Sequence, residues 1–205
     1  MSAIPPAIFV VDDDVSFLKA VTRLLRAGGY DVKNFTSADE FLKNPPPDGP
    51  GCVIVDLQMP GKNGLDLQDS LGMTGNPLPV IFLTGQGDIP TSVQAMRQGA
   101  EDFLTKPVKR EKLFAAVQRA LDRNAREREA RTKRRELRAL YETLTPRERE
   151  VFAHLITGQL NKQIAADLNT TERTIKAHRA NLMAKLRMPS VAELVRLAQA
   201  LGIQE

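Results

Sequence analysis

The residues that could do chemistry stand where apolar runs stop. Cys52-Val53-Ile54-Val55 runs without a polar break into Asp56, and Ile8-Phe9-Val10-Val11 stops at Asp12-Asp13-Asp14. Pro79-Val80-Ile81-Phe82-Leu83 stops at Thr84-Gly85, and the shorter Glu101-Asp102-Phe103-Leu104-Thr105 stops at Lys106-Pro107. A single acid just past a strand is ordinarily a turn or cap residue. Here four run endings deliver carboxylates, a hydroxyl and an ammonium together. Carboxylates so close repel one another unless a cation sits among them. A hard, oxygen-seeking ion such as Mg²⁺ (or Mn²⁺) suits Asp12, Asp13 and Asp56. Lys106 is placed to neutralise a dianionic group and Thr84 to hydrogen-bond it. A carboxylate beside such an ion can act as a nucleophile and take up a phosphoryl group as an acyl phosphate.

The elements that must bring these groups together can be read from the same runs. Uninterrupted apolar strands are buried on both faces, which means a parallel sheet. Ligands of such sheets sit in the crevice past the strands' carboxyl ends. Between the strands, Val15, Leu18, Val21 and Leu25 recur at helical spacing over 15–27 and stop at Gly28-Gly29. Val32 and Phe35 fit a short strand, and Ser37-Ala-Asp-Glu40 reads as a capping box. Residues 64–72 and 90–98 read as two more helices, the second with Pro90 in its first turn and Gly99 as its stop. Five βα units result, which makes an α/β doubly wound, five-stranded domain.

The motifs VDDD, VDLQMPGKNG, TGQGD and TKP, in this order and roughly at this spacing, resemble the receiver domain of two-component response regulators over about residues 6–121. The resemblance implies a CheY-like fold with Asp56 as phosphoacceptor and Asp12 and Asp13 as the acidic metal pocket. Asp13, Asp56 and the backbone carbonyl of Gln58 would ligate Mg²⁺. It makes Thr84 the switch hydroxyl, Phe103 the switch aromatic and Lys106 the lysine, with Lys106–Pro107 in the cis form that X-Pro bonds tolerate. Gln86 stands where relatives often have His and is given no role.

Composition bounds the rest. The 205 residues suffice for one large or two modest domains. The longest apolar run falls far short of the roughly 20 residues a membrane span needs. No basic-then-apolar leader opens the sequence, so no secretory signal is expected. The one cysteine, Cys52, fits core packing in a reducing cytoplasm. The net charge of +4 is unevenly spread: residues 1–121 carry 12 basic and 14 acidic side chains, residues 122–138 carry 8 and 4, and residues 145–205 carry 9 and 6. A basic second half suggests an anionic partner there, nucleic acid or a membrane surface; the motifs of that half decide for nucleic acid and against a membrane partner.

Neither Gly nor Pro occurs from Val108 to Thr145. Leu113, Val117, Ala120 and Leu121 give the last receiver helix its apolar face. Residues 123–135 are rich in Glu–Arg and Glu–Lys spacings such as Glu127/Arg131 and Glu129/Lys133. The composition favours a continuous helix over a frayed linker. Some 35 helical residues would hold two domains on the order of 50 Å apart. Leu137, Leu140, Tyr141 and Leu144 restore a stripe, read as docking on the second domain in preference to a coiled-coil contact. The expected division is 1–121, a charged helical linker 122–142, and 143–205.

The last part reads as all-α, with four helices. Thr145, Pro146 and Glu148 make a helix start with a capping box. Asn161 can cap a short second helix, and an Asn169-Thr170-Thr171 turn leads to a third through Leu186. Ser190-Val-Ala-Glu193 reads as a further capping box. Two short helices joined by a tight turn are the helix-turn-helix layout. On the third helix Arg173, Lys176, Ala177 and Ala180 lie opposite the apolar Ile175, Leu182 and Leu186, with Arg179 and Lys185 on its flanks. A basic face near a helix's amino end suits the major groove. A solvated charge face is the plainer alternative, outweighed by the capping boxes, the helix layout and the charge asymmetry together.

LTPRE-REV, LNKQIAADL and TERTIKAHRANLMAKL resemble the LuxR-type DNA-binding domain over 143–202. By that resemblance Thr174, Lys176 and Arg179 contact phosphates or bases and Lys162 contacts the backbone. Ala177 and Ala180 would touch thymine methyls. His178 reads as packed or phosphate-bonding, His154 as structural. The whole chain resembles the FixJ/NarL-type response regulators. The resemblance implies a cytoplasmic transcription factor phosphorylated by a sensor histidine kinase, dimerising on phosphorylation, binding double-stranded promoter DNA, and with RNA polymerase as a further partner. It implies no enzyme beyond self-phosphorylation and self-dephosphorylation at Asp56. Two other readings stand beside it. A phosphatase working through an aspartyl phosphate commonly has a second acid two residues on, where this chain has Gln58. An adaptor binding DNA without phosphorylation is opposed by the intact Asp13, Asp56, Thr84 and Lys106 set.

Overall fold

The computed structural model describes residues 5–46, 49–73, 78–85 and 89–203, so Gln86 lies outside the described residues. The chain forms two compact units, Met1–Arg128 and Glu129–Glu205.

In the first unit β1 (Ala7–Val11), β2 (Asp31–Phe35), β3 (Gly51–Asp56), β4 (Val80–Thr84) and β5 (Asp102–Thr105) form one parallel sheet in the order β2-β1-β3-β4-β5. Strand alternation divides its apolar residues between two cores. Ile8, Val10, Cys52, Ile54, Ile81 and Leu83 face one layer with Leu18, Val21 and Leu25 of α1 (Val15–Ala27) and Leu113, Val117 and Ala120 of α5 (Arg110–Glu142). Phe9, Val11, Val53, Val55, Val80 and Phe82 face the other, with Phe41 of α2 (Ala38–Lys43), Leu67 and Leu71 of α3 (Gly64–Gly72), and Ala95 of α4 (Ile89–Arg97). Sandwiching between two helical layers is why β3 and β4 needed no polar face. Cys52 is fully buried, and desolvation pushes its thiol up to about 12, consistent with packing rather than redox work.

Several local expectations are corrected. Val15 is half exposed; the buried face of α1 begins at Leu18, with Phe17 packed at its edge. Ser37 caps α2 by accepting from the Glu40 amide, but Glu40 itself accepts from the Thr36 amide and hydroxyl, so the box does not close. Thr36 offers the Glu40 carboxylate two donors at once, where the Ser37 amide would offer one. A full box instead opens α3, where Asn63 and Asp66 accept from each other's amides.

The helix α5 runs 33 residues without a break. Glu127 pairs with Arg123, one turn before it, and Arg138 pairs with Glu142. Asn124 is fully buried on the same stripe as Val117 and Ala120, and its side-chain oxygen accepts from the amide of Gly51 at the start of β3.

In the second unit α6 (Pro146–Ile156), α7 (Asn161–Asp167), α8 (Glu172–Leu186) and α9 (Val191–Leu201) surround a core of Leu144, Val151, Phe152, Leu155, Ile164, Ile175, Leu182, Leu186, Leu194, Leu197 and Leu201. Leu137, Leu140 and Tyr141 of α5 pack on it. The Thr145–Glu148 box closes as expected. Asn161 does not cap α7: it is the first helical residue, Leu160 holds the cap position, and the Gln163 side chain accepts the Leu160 amide. Ser190 accepts from Glu193, whose carboxylate goes to Arg196 instead of closing a box.

Candidate functional site

The rim at the carboxyl ends of the strands is set by register. Val11 pairs with Val55, so Asp12 and Asp56 step off β1 and β3 at one level. Asp56 pairs with Leu83, which puts Thr84 one residue further at the same edge, and Thr84 pairs with Thr105, the residue before Lys106. The amide of Lys106 donates to the Thr84 carbonyl at 2.7 Å, and the Lys106–Pro107 bond is cis, as expected.

The side chains converge. Lys106 Nζ lies 2.5 Å from Asp12 Oδ2 and 3.0 Å from Asp56 Oδ2. Carboxylate oxygens of Asp12, Asp13 and Asp56 all lie within 4.8 Å of one another. Asp12 and Asp56 are 1% and 9% exposed, whereas Asp13 is open to solvent. Burial raises the Asp12 carboxyl above the ordinary range, against the opposing pull of the Lys106 ammonium and the Asp14 amide. Burial lowers the Lys106 ammonium, but its hydrogen bonds to Asp12 and Asp56 outweigh that and leave it raised. Thr84 is buried and Phe103 is half-buried, its ring 6.0 Å from that of Phe82. Gln58 is exposed, and its amide faces Asp56 Oδ1 at 3.4 Å. Three clustered carboxylates with hard oxygen donors fit a divalent cation such as Mg²⁺, with Lys106 balancing part of their charge.

Gly64 makes this close packing possible. A Cβ there would lie 2.6 Å from the Asp56 carbonyl oxygen and 2.9 Å from the Phe82 ring, so no larger residue lets α3 meet β3.

The second group of expected residues lies on α7 and α8. Arg173, Lys176, Ala177 and Ala180 are exposed along one side of α8, and Lys162 is exposed on α7. Thr174 is half-buried, its hydroxyl 2.9 Å from that of Thr171, and Arg179 reaches back to Asn161 Oδ1 at 3.4 Å. Lys176 is paired with Glu172 one turn earlier. Lys185 is a structural cation instead of a flank of this face, because its ammonium is 2.6 Å from Glu148. His154 Nδ1 meets Gln159 at 2.5 Å, a structural contact, and His178 is half-buried.

Sequence reasoning missed Asp14, which caps α1 by accepting from the Ser16 and Phe17 amides. The preference for Asp immediately before a helix carried that signal. It also missed Asn124, although Leu113, Val117, Ala120 and Asn124 keep one helical spacing. Arg119 and Arg123, which pair with Asp102 and Glu101, left no local signal.

Known proteins resemble both parts of the chain. Residues 8–118 match the response regulator receiver domain, and residues 142–198 match the bacterial regulatory proteins of the luxR family. Nodulation protein W of Bradyrhizobium diazoefficiens is 43% identical over 96% of this chain and 86% of its own length. The transcriptional regulatory protein FixJ of the same organism is 37% identical over 96% of each chain. The low-resolution structure of the response regulator StyR is 41% identical, with a TM-score of 0.82 over 96% of this chain and 99% of that one. Among the described residues no helix is long and apolar enough to cross a membrane.

Proposed function

The chain belongs to the two-component response regulators that join a receiver domain to a LuxR-type DNA-binding domain and regulate transcription, and on that premise we propose that Asp56 accepts the phosphoryl group that controls DNA binding. The observation carrying the proposal is the single ammonium of Lys106 bound at once to Asp12 and Asp56. That arrangement suits a site whose negative charge rises during reaction, because the cation is in place before the phosphoryl group arrives.

The domains are assigned as 1–121, 122–142 and 143–205. A sensor histidine kinase is the donor. An oxygen of Asp56 forms the new bond to phosphorus as the bond to the donor breaks, giving an acyl phosphate. Asp12, Asp13, Asp56 and the Gln58 carbonyl would hold Mg²⁺ or Mn²⁺. When bound, such an ion would neutralise the carboxylates and draw charge from the phosphoryl oxygens. Lys106 and the Thr84 hydroxyl gather the new oxygens, and Phe103 turns inward behind Thr84.

The reshaped face of α4, where Val93 and Met96 are 44% and 47% exposed, then meets a second copy. Dimerisation joins two weak DNA contacts into one strong one on a two-fold site. Lys162, Arg173, Thr174, Lys176, Ala177, Arg179 and Ala180 form the DNA face, and the bound dimer acts on RNA polymerase in the cytoplasm. The test measures size and affinity for a duplex selected from a random pool, with and without acetyl phosphate and Mg²⁺. Dimerisation and tighter binding are expected of the wild type and not of Asp56→Asn. Phosphodonor-driven DNA binding retained by Asp56→Asn overturns the scheme.

A further inference from the structure

The ring of Phe17 lies against the ammonium of Lys106, with Nζ 4.1 Å from the ring centroid. That is well inside the roughly 6 Å over which a cation is drawn to an aromatic face. Both partners are anchored. Asp14 fixes the backbone of Phe17 by accepting its amide at 3.1 Å, and the ring packs on the core layer around Leu18 and Val21. Lys106 comes directly after β5, and its side chain is only 17% exposed. Two of the ammonium's contacts are carboxylates, Asp12 and Asp56, and the third is the ring.

We propose that Phe17 is a positioning residue for phosphoryl uptake, holding the Lys106 ammonium over the acidic pocket while its carboxylate contacts are exchanged for phosphoryl oxygens. The inference rests on the reading of Asp56 as phosphoacceptor. Its logic lies in the difference between the partners. The carboxylate of Asp56 is consumed in the reaction and competes with the incoming group for the same N–H donors. A ring face attracts the cation without accepting a strong hydrogen bond, so it keeps the ammonium in place without holding it back. It also covers the ammonium from water, where the attraction to the developing charge would be weaker.

The test uses the full chain with acetyl phosphate and Mg²⁺, reading adduct formation by intact mass against donor concentration. Phe17→Leu keeps the bulk and loses the ring face, while Phe17→Tyr keeps both. The expected result is a roughly threefold to tenfold fall in the maximal rate for Phe17→Leu and a rate within about twofold of wild type for Phe17→Tyr. In a Lys106→Met background, read over hours, Phe17→Leu should cause no further loss. A fall of the same size with and without Lys106 marks a purely structural effect and overturns the proposal, as does a wild-type rate for Phe17→Leu. Should Phe17→Leu lose its helical circular dichroism, Phe17→Met against Phe17→Tyr makes the same comparison. An adduct formed equally well by Asp56→Asn would instead overturn the parent reading, so the two failures are distinct.

Discussion

Asp12 and Asp56 in the first unit are 1% and 9% exposed and share one ammonium, whereas the Lys176 side chain on α8 is 65% exposed and is paired with Glu172 at 3.2 Å. Burying charges removes them from water, which is tolerable only with partners of opposite sign at fixed distance. The acidic pocket is therefore organised before any ligand arrives. The face of α8 stays hydrated, and in its proposed role its interactions would form when an anion displaces water and counterions. Chemistry needs the first arrangement and reversible binding to a long polyanion is served by the second. The second unit nevertheless contains one charge of the first kind, Glu148, 3% exposed and bonded to Lys185 and the Thr145 amide.

The contrast can be broken most severely at its buried end. Lys106→Met removes the cation shared by Asp12 and Asp56, and phosphoryl uptake from acetyl phosphate should fall on the order of 100-fold. A rate near wild type would mean the ammonium is only structural. Next in size is Glu148→Gln, which should lower the stability of the second unit by about 2 kcal/mol in thermal melts at neutral pH, with phosphoryl uptake unaltered. Its pH dependence sharpens the point. Burial raises the Glu148 carboxyl, but the Lys185 and Thr145 donors outweigh it and hold the group below the ordinary glutamate value of 4.5. Its stabilising contribution is thus full above that value and fades as pH falls through the lower folded-state pKa. Melts recorded from pH 6 to pH 3 should show this decline in the wild type and less of it in Glu148→Gln.

At the exposed end effects should be smaller and salt-dependent. Lys176→Ala should weaken DNA binding while lowering the slope of log affinity against log salt by about 1. A slope unchanged in titrations from low to moderate salt would remove Lys176 from the interface. The smallest effect belongs to the solvated pair Arg138–Glu142, where both side chains are more than half exposed. Glu142→Gln should change stability by less than about 0.5 kcal/mol.

The same contrast explains what was legible in the sequence. Strands buried on both faces declare themselves as unbroken apolar runs, and once they are parallel their ends must share a rim. Asp12, Asp56, Thr84 and Lys106 could therefore be grouped without coordinates. Glu40 could not be assigned correctly, because Ser37 and Thr36 offer it competing donors and the choice depends on the backbone path from β2. Leu160 displaced Asn161 from the cap because Gln163 supplied the acceptor, a bond that residue type alone does not rank first. Phe17 stands off the Val15, Leu18, Val21 and Leu25 spacing of α1 and carries no signal of its own. Its partner is 89 positions away, and only the fold places Lys106 beside it. Asn124 was missed although it keeps the helical spacing of Leu113, Val117 and Ala120, and its acceptor role depends on Gly51, which no helical pattern names.

That one carboxylate, Asp56, takes the phosphoryl group is tested most directly by the intact mass of the full chain after acetyl phosphate and Mg²⁺, with Asp56→Asn beside it. A single acid-stable, base-labile phosphoryl adduct is expected on the wild type, absent from Asp56→Asn and not formed when EDTA has removed the cation before the donor is added. No adduct, or an adduct of equal yield on Asp56→Asn, would contradict it.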